Sequence, residues 1–107
     1  MTTTVYESKS ITLLNDQEIK IRPLKISLLR DFMKEFEKID AVSEDNSKSI
    51  DVLIKCVQIA MKQYAPELST DKAVLEDILD LPTVYKIVEA ASGAQLGDLG
   101  ISSINNN

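Results

Sequence analysis

SIDVLIKCVQIAMKQYAP, residues 49–66, is the stretch whose reading decides the fold. Wound as a helix over residues 50–64, it sets Asp51, Lys55, Gln58 and Lys62 at steps of four, three and four, which makes one narrow polar stripe. Ile50, Leu53, Ile54, Val57, Ala60, Met61 and Tyr64 form a broad apolar face. Val52, Cys56 and Ile59 widen that face sideways, so water reaches only a thin sector of the helix and other elements must cover the rest. Ser49 is placed to cap the start, Asp51 suits the positive end of the helix dipole, and Pro66 ends the run because it disfavours helical geometry in the residue before it.

Working outward from this helix toward the start, residues 40–48 turn polar and read as a mobile, solvated loop. Before the loop, Leu28, Leu29, Phe32, Met33, Phe36 and Ile39 repeat at helical spacing, which predicts a first helix over 28–39 capped by Ser27. Asp31 with Lys34 and Glu35 with Lys38 are opposite charges three apart on its outer side. Earlier still, the period changes to two. Ile11 and Leu13 alternate with Thr12, and Ile19 and Ile21 alternate with Glu18, Lys20 and Arg22, with Asn15 and Asp16 between them as turn residues. This predicts a hairpin over 10–24, closed by Pro23, whose apolar face needs cover because two strands alone are marginal in water.

Beyond Pro66, the cluster Ser69, Thr70 and Asp71 caps a short helix over 71–79 with Val74, Leu75, Ile78 and Leu79 on its apolar side. Pro82 suits the first turn of another helix over 82–92, bearing Val84, Tyr85, Ile87, Val88 and Ala91, and Gly93 suits the left-handed residue that ends it. The expectation is one α+β, mostly α domain over 10–93: an N-terminal β-hairpin followed by about four helices in a compact bundle. A flexible N-terminus over 1–9 and a flexible tail over 94–107 flank it, the tail carrying Leu96, Leu99, Ile101 and Ile104 as a possible docking segment.

Length and composition agree with that reading. At 107 residues, 44% hydrophobic and 27% charged, the chain has material for one core and no room for a second ordinary domain. An excess of acids, 17 against 12 basic residues, weighs against phosphate neutralisation and hence against nucleic-acid binding. One cysteine, Cys56, cannot make an internal disulfide and reads as a small buried hydrophobe. No run is long and apolar enough for a membrane span, and residues 1–10 lack the layout of a signal peptide, so an intracellular protein is expected.

Chemistry-bearing patterns are missing. There is no histidine, which removes the commonest general base and metal ligand, and one cysteine without histidine makes neither a zinc site nor a thiol triad. Gly93, Gly97 and Gly100 follow a helix rather than joining a strand to one, so they form no phosphate cradle. The carboxylate pairs Glu44 with Asp45 and Glu76 with Asp77 belong to no spaced oxygen-ligand loop and read as solvated acid. Read as a recognition helix, residues 83–92 offer only Lys86 to a base edge or phosphate. Neither enzymatic activity nor a cofactor or metal is expected.

The run Ile19-Lys20-Ile21-Arg22-Pro23-Leu24, leading from a hairpin into a helix with Phe32 and Phe36, resembles the opening of small tail assembly chaperones of tailed bacteriophages. Leu79-Asp80-Leu81-Pro82-Thr83-Val84-Tyr85-Lys86-Ile87, followed by Gly93, is also similar to that group, although Asp16 and Gln17 stand where its hairpin often has glycine. The resemblance spans about residues 10–93 and rests on core and turn residues. It implies a protein without catalytic residues, made in the cytoplasm of an infected bacterium and absent from the mature virion. Its partners would be the tape measure protein, whose helical segments it keeps soluble, and tail tube subunits, which it helps recruit. A longer product made by frameshifting accompanies many such chaperones. A homo-oligomer is compatible with this reading, and a protein-binding regulator of antirepressor type or a minor virion subunit are the alternative classes.

A chaperone of helical segments needs an apolar surface left uncovered. The side of the central helix bearing Val52, Cys56 and Ile59 is the candidate, since four short elements must cover both it and the main face. The same three residues suit a plain core.

Overall fold

In the computed structural model, which describes residues 9–93, a two-stranded antiparallel hairpin leads into four α-helices. The strands are β1 (Lys9–Thr12) and β2 (Glu18–Ile21), with Ile11 opposite Ile19 and Lys9 opposite Ile21. Alternation does what it should. Ile19, Ile21 and Leu13 are buried while Glu18 and Lys20 face water, so one face of the hairpin lies on the helices. The turn closes through the Asp16 N–H donating to the Leu13 carbonyl at 2.9 Å and the Leu13 N–H donating to Gln17 at 2.8 Å. Asp16 takes the left-handed position (φ 69°), the conformation a three-residue hairpin loop needs after its type I turn, and the Asn15 carboxamide accepts from the Gln17 N–H at 3.0 Å. The Leu14 N–H donates to the Ile78 carbonyl at 2.9 Å and pins the tip to a residue far along the chain.

Helix α1 spans Ile26–Phe36, and Ser27 is not its cap: the cap position is Lys25, which supplies no side-chain bond. A distant residue takes over the job. Gln63 accepts from the Lys25 N–H at 2.9 Å and donates to the Pro23 carbonyl at 3.1 Å, while the Tyr64 hydroxyl donates to the Arg22 carbonyl. The connector between hairpin and α1 is thus held by side chains from the end of the central helix, which satisfies its backbone without a local cap. Leu28 and Phe32 are buried, Phe32 and Phe36 stack with ring centroids 6.3 Å apart, and the Glu35–Lys38 pair forms at 3.1 Å.

Residues 37–42, expected partly as helix and partly as loop, form a 3₁₀ segment (Glu37–Val42), and the central helix α2 runs Asn46–Tyr64, one turn earlier than expected. The mobile loop of 40–48 is therefore corrected to the short link between these elements. Asp45 caps α2 by accepting from the Lys48 N–H at 3.0 Å; Ser49 lies inside the first turns and donates its hydroxyl to the Val42 carbonyl at 2.9 Å. The polar run over 45–48 is the exposed first turn of a helix, which needs no apolar residue to form.

Pro66 ends α2 and opens a second 3₁₀ turn (Pro66–Leu68), followed by α3 (Lys72–Ile78) and α4 (Leu81–Ser92). Asp71 caps α3 through the Ala73 and Val74 N–H groups, and Asp80 caps α4 through the Thr83 N–H at 2.9 Å. Hydrogen bonds with Thr83 also hold the Asp80 carboxyl below its ordinary pKa. Gly93 closes α4 at φ 86°, and a Cβ there would come within 3.3 Å of the Pro23 ring, so both backbone and space favour glycine. The Leu24 N–H donates to the Ala91 carbonyl at 3.1 Å. The two stretches quoted above for their family likeness thus meet: Pro23 and Leu24 close against the end of α4.

Around α2 the core is continuous. It contacts α1, α3, α4, β2 and both 3₁₀ segments, and Cys56, Val57, Ala60 and Met61 are fully buried. Even its polar stripe is partly bridged. Asp51 bonds Lys72 at 3.1 Å, and Gln58 donates to the Ser69 carbonyl at 3.3 Å, which leaves Lys55 and Lys62 exposed. The expectations of a flexible start over residues 1–9 and of a flexible tail over 94–107 lie outside the described residues, except at Lys9, which opens β1.

Candidate functional site: an open apolar groove

The residues singled out from the sequence lie inside. Val52 is 7% exposed and Cys56 not at all, both within the core cluster, and Ile59 is half-buried against it. Cys56 Sγ sits 3.9 Å from the Phe32 carbonyl, so α1 covers this side of α2. The expected uncovered side of the central helix is corrected on that point: Val52 and Cys56 are core residues, and α1 lies over Cys56.

Burial, and secondarily the nearby Glu35 carboxylate, push the Cys56 thiol up to about 12. A buried thiol that stays protonated does not react as a nucleophile. In the native chain an alkylating reagent at pH 8 is expected to modify Cys56 only through global opening, so its rate should equal the free-thiol rate scaled by the unfolded fraction; fast labelling without denaturant would contradict this burial.

Uncovered apolar surface lies elsewhere, between the end of α1 with the 3₁₀ segment that follows it, the first half of α2, and the outer side of α4. Half-buried Phe36 and Ile39 form its apolar walls, Leu53 and Val88, 7% and 3% exposed, lie at its floor as part of the core, and Tyr85 stands at its edge with 53% of its surface exposed. Its volume is about 580 Å³, inside the ~300–1,000 Å³ range of binding clefts. The early part of α2 supplies Asn46 and Ser49, the link before it Ser43, and α4 supplies Glu89. Leu81, one turn before Tyr85, and Ile50, one turn before Leu53 and Ile54, are also exposed and extend the apolar surface along their helices.

The cause of this opening is local. α1 stops at Phe36, and the tighter 3₁₀ segment carries Ile39 and Val42 only half-buried, so the wall against α2 does not reach Tyr85. Phe36, Ile39 and Tyr85 were visible in the sequence as apolar helix positions; their exposure arises from how three elements fail to close, which no spacing encodes.

For chemistry the groove offers a carboxylate, a phenol, two hydroxyls and a carboxamide. No group of three histidine, cysteine or carboxylate side chains that could hold a metal gathers among the described residues. No helix among them is long and apolar enough to cross a membrane. Comparison with known proteins returns no matching family model, no matching curated protein and no matching solved structure.

Proposed function

We propose that this chain is a tail assembly chaperone of a tailed bacteriophage, acting in the cytoplasm of the infected host and absent from the finished particle. The observation that carries the reading is the open groove between α1, α2 and α4, because a chaperone of helical segments must keep one apolar trough unfilled. An amphipathic helix of the tape measure protein would lay its i, i+3 or i+4, and i+7 side chains against Phe36, Ile39 and the exposed ring of Tyr85, above the buried floor of Leu53 and Val88. Tyrosine at the rim suits this task, since its ring covers apolar surface while its hydroxyl stays wet. Occupation of the groove would keep the client from aggregating until tail tube subunits are recruited around it.

Co-expression with the phage's long tape measure product tests the proposal. The expected result is a soluble complex that co-purifies, and a Tyr85→Lys variant, folded to the same extent, that leaves at least about tenfold more client insoluble. A charge on that exposed ring position disrupts an apolar contact without entering the core. A client equally soluble alone, or stoichiometric amounts of this chain in purified virions, would remove the reading.

A further inference from the structure

Building on the chaperone reading of the groove, we propose that residues 94–107 of the chain itself lie in it until a client displaces them. They follow Gly93, the last described residue. Leu96, Leu99, Ile101 and Ile104 among them are large and apolar and only Asp98 is charged, where the whole chain is 27% charged. A segment meant only for water is richer in charge. Gly97 and Gly100 disfavour a helix, so we seat the segment as an extended peptide.

The exit from α4 favours this path. Gly93, at φ 86°, turns the backbone off the helix axis. At that end the hairpin connector holds one side: the Leu24 N–H donates to the carbonyl of the buried Ala91, and the Pro23 ring lies 3.3 Å from where a Gly93 Cβ would stand. Glu89, which lines the groove, is two residues and so ~200° round the helix from Ala91, away from the connector. Tyr85 lies about 12 Å back along the axis from Gly93, and extended chain covers about 3.3 Å per residue. Leu96 and Leu99 can therefore fold back over Val88 and beside Tyr85, with length left for Ile101 and Ile104 to meet Ile39 and Phe36. At the rim, the Asn46 carboxamide and the Tyr85 hydroxyl make no hydrogen bond among the described residues, and the Ser43 and Ser49 hydroxyls keep lone pairs. Such a rim can pair with both the carbonyl and the N–H groups of an extended backbone. Tethering raises the segment's local concentration to the millimolar range, so weak contacts fill the groove, and a client's apparent affinity falls with the fraction left open.

The quadruple variant Leu96→Ser, Leu99→Ser, Ile101→Ser, Ile104→Ser of the full chain tests this. Two-dimensional amide NMR of the two forms is expected to differ at Ile39, Tyr85, Val88 and Glu89 at every protein concentration, and a synthetic peptide of residues 94–107 added to the variant should move those signals back. A designed helical peptide of roughly 18 residues with leucines at i, i+3, i+4 and i+7 serves as client probe, read by fluorescence anisotropy. It should bind the variant about tenfold more tightly, as follows if the segment fills about nine-tenths of the groove. Groove signals that coincide in the two forms, differences at Leu14, Ile26 or Val74 instead, or equal and measurable affinities overturn the proposal. So do differences that fade on dilution, which belong to a second copy. In each of these cases probe binding that is lost in Tyr85→Lys leaves the chaperone reading standing. Groove differences with no probe bound to either form would keep the segment in the groove and remove the chaperone reading.

Discussion

Val52→Asp is expected to cost most of the chain's stability. At 7% exposure the new carboxylate would sit within the apolar core cluster, one turn before Cys56, and an uncompensated buried charge costs about 3–5 kcal/mol. Domains of this kind are stable by only about 5–15 kcal/mol, so the variant should be largely unfolded at 37 °C, with its urea midpoint shifted far down. Aspartate is the sharper probe because a lysine could lay its stem along the helix and lift its charge to water. Circular dichroism across a urea series reads the result. A variant with an unchanged midpoint would show that this side of α2 is free surface, as the sequence alone allowed.

Phe32→Ala should be the next most damaging change. Phe32 is 1% exposed, stacks on Phe36 and lies where α1 crosses α2 at Cys56. Deleting a buried ring removes its transfer energy and leaves a cavity, together about 3–5 kcal/mol. Phe36→Ala, at a half-buried ring that lines the groove, should cost clearly less, because part of that ring is already in water. Thermal denaturation of the two variants side by side gives the comparison. A loss for Phe36→Ala equal to or above that for Phe32→Ala would mean that the groove is closed in solution.

Much of the fold was legible because its elements announce themselves locally. The apolar spread over residues 50–64 marks α2, period two marks the hairpin, and the capping cluster ending at Asp71, with Pro82 and Gly93, punctuates α3 and α4. Ser27 and Ser49 misled for one reason: each is a good local cap, yet tertiary or earlier partners took the position. Gln63, 38 residues from Lys25, holds the entry to α1, and Asp45 starts α2 before Ser49 is reached. Local propensity is a weak prior when a distant side chain can satisfy the same backbone group.

The candidate site was less legible. Val52, Cys56 and Ile59 stood out as surplus apolar surface, and the surplus exists, but the chain spends it differently. α1 covers that side of α2 at Cys56, while its early end leaves Ile39 half-buried and Tyr85 exposed. Which apolar residue stays wet depends on where helices stop, and a stop that lacks proline or glycine, such as Phe36, leaves no mark in the sequence.

The groove's role is tested most directly by two-dimensional NMR of the isotopically labelled chain, free and bound to a soluble client helix of the tape measure protein. Amide shifts on binding should concentrate at Phe36, Ile39, Leu53, Tyr85 and Val88, with the hairpin and the buried Val52 and Cys56 little changed. Shifts confined to the hairpin, with Tyr85 and Val88 silent, would contradict it.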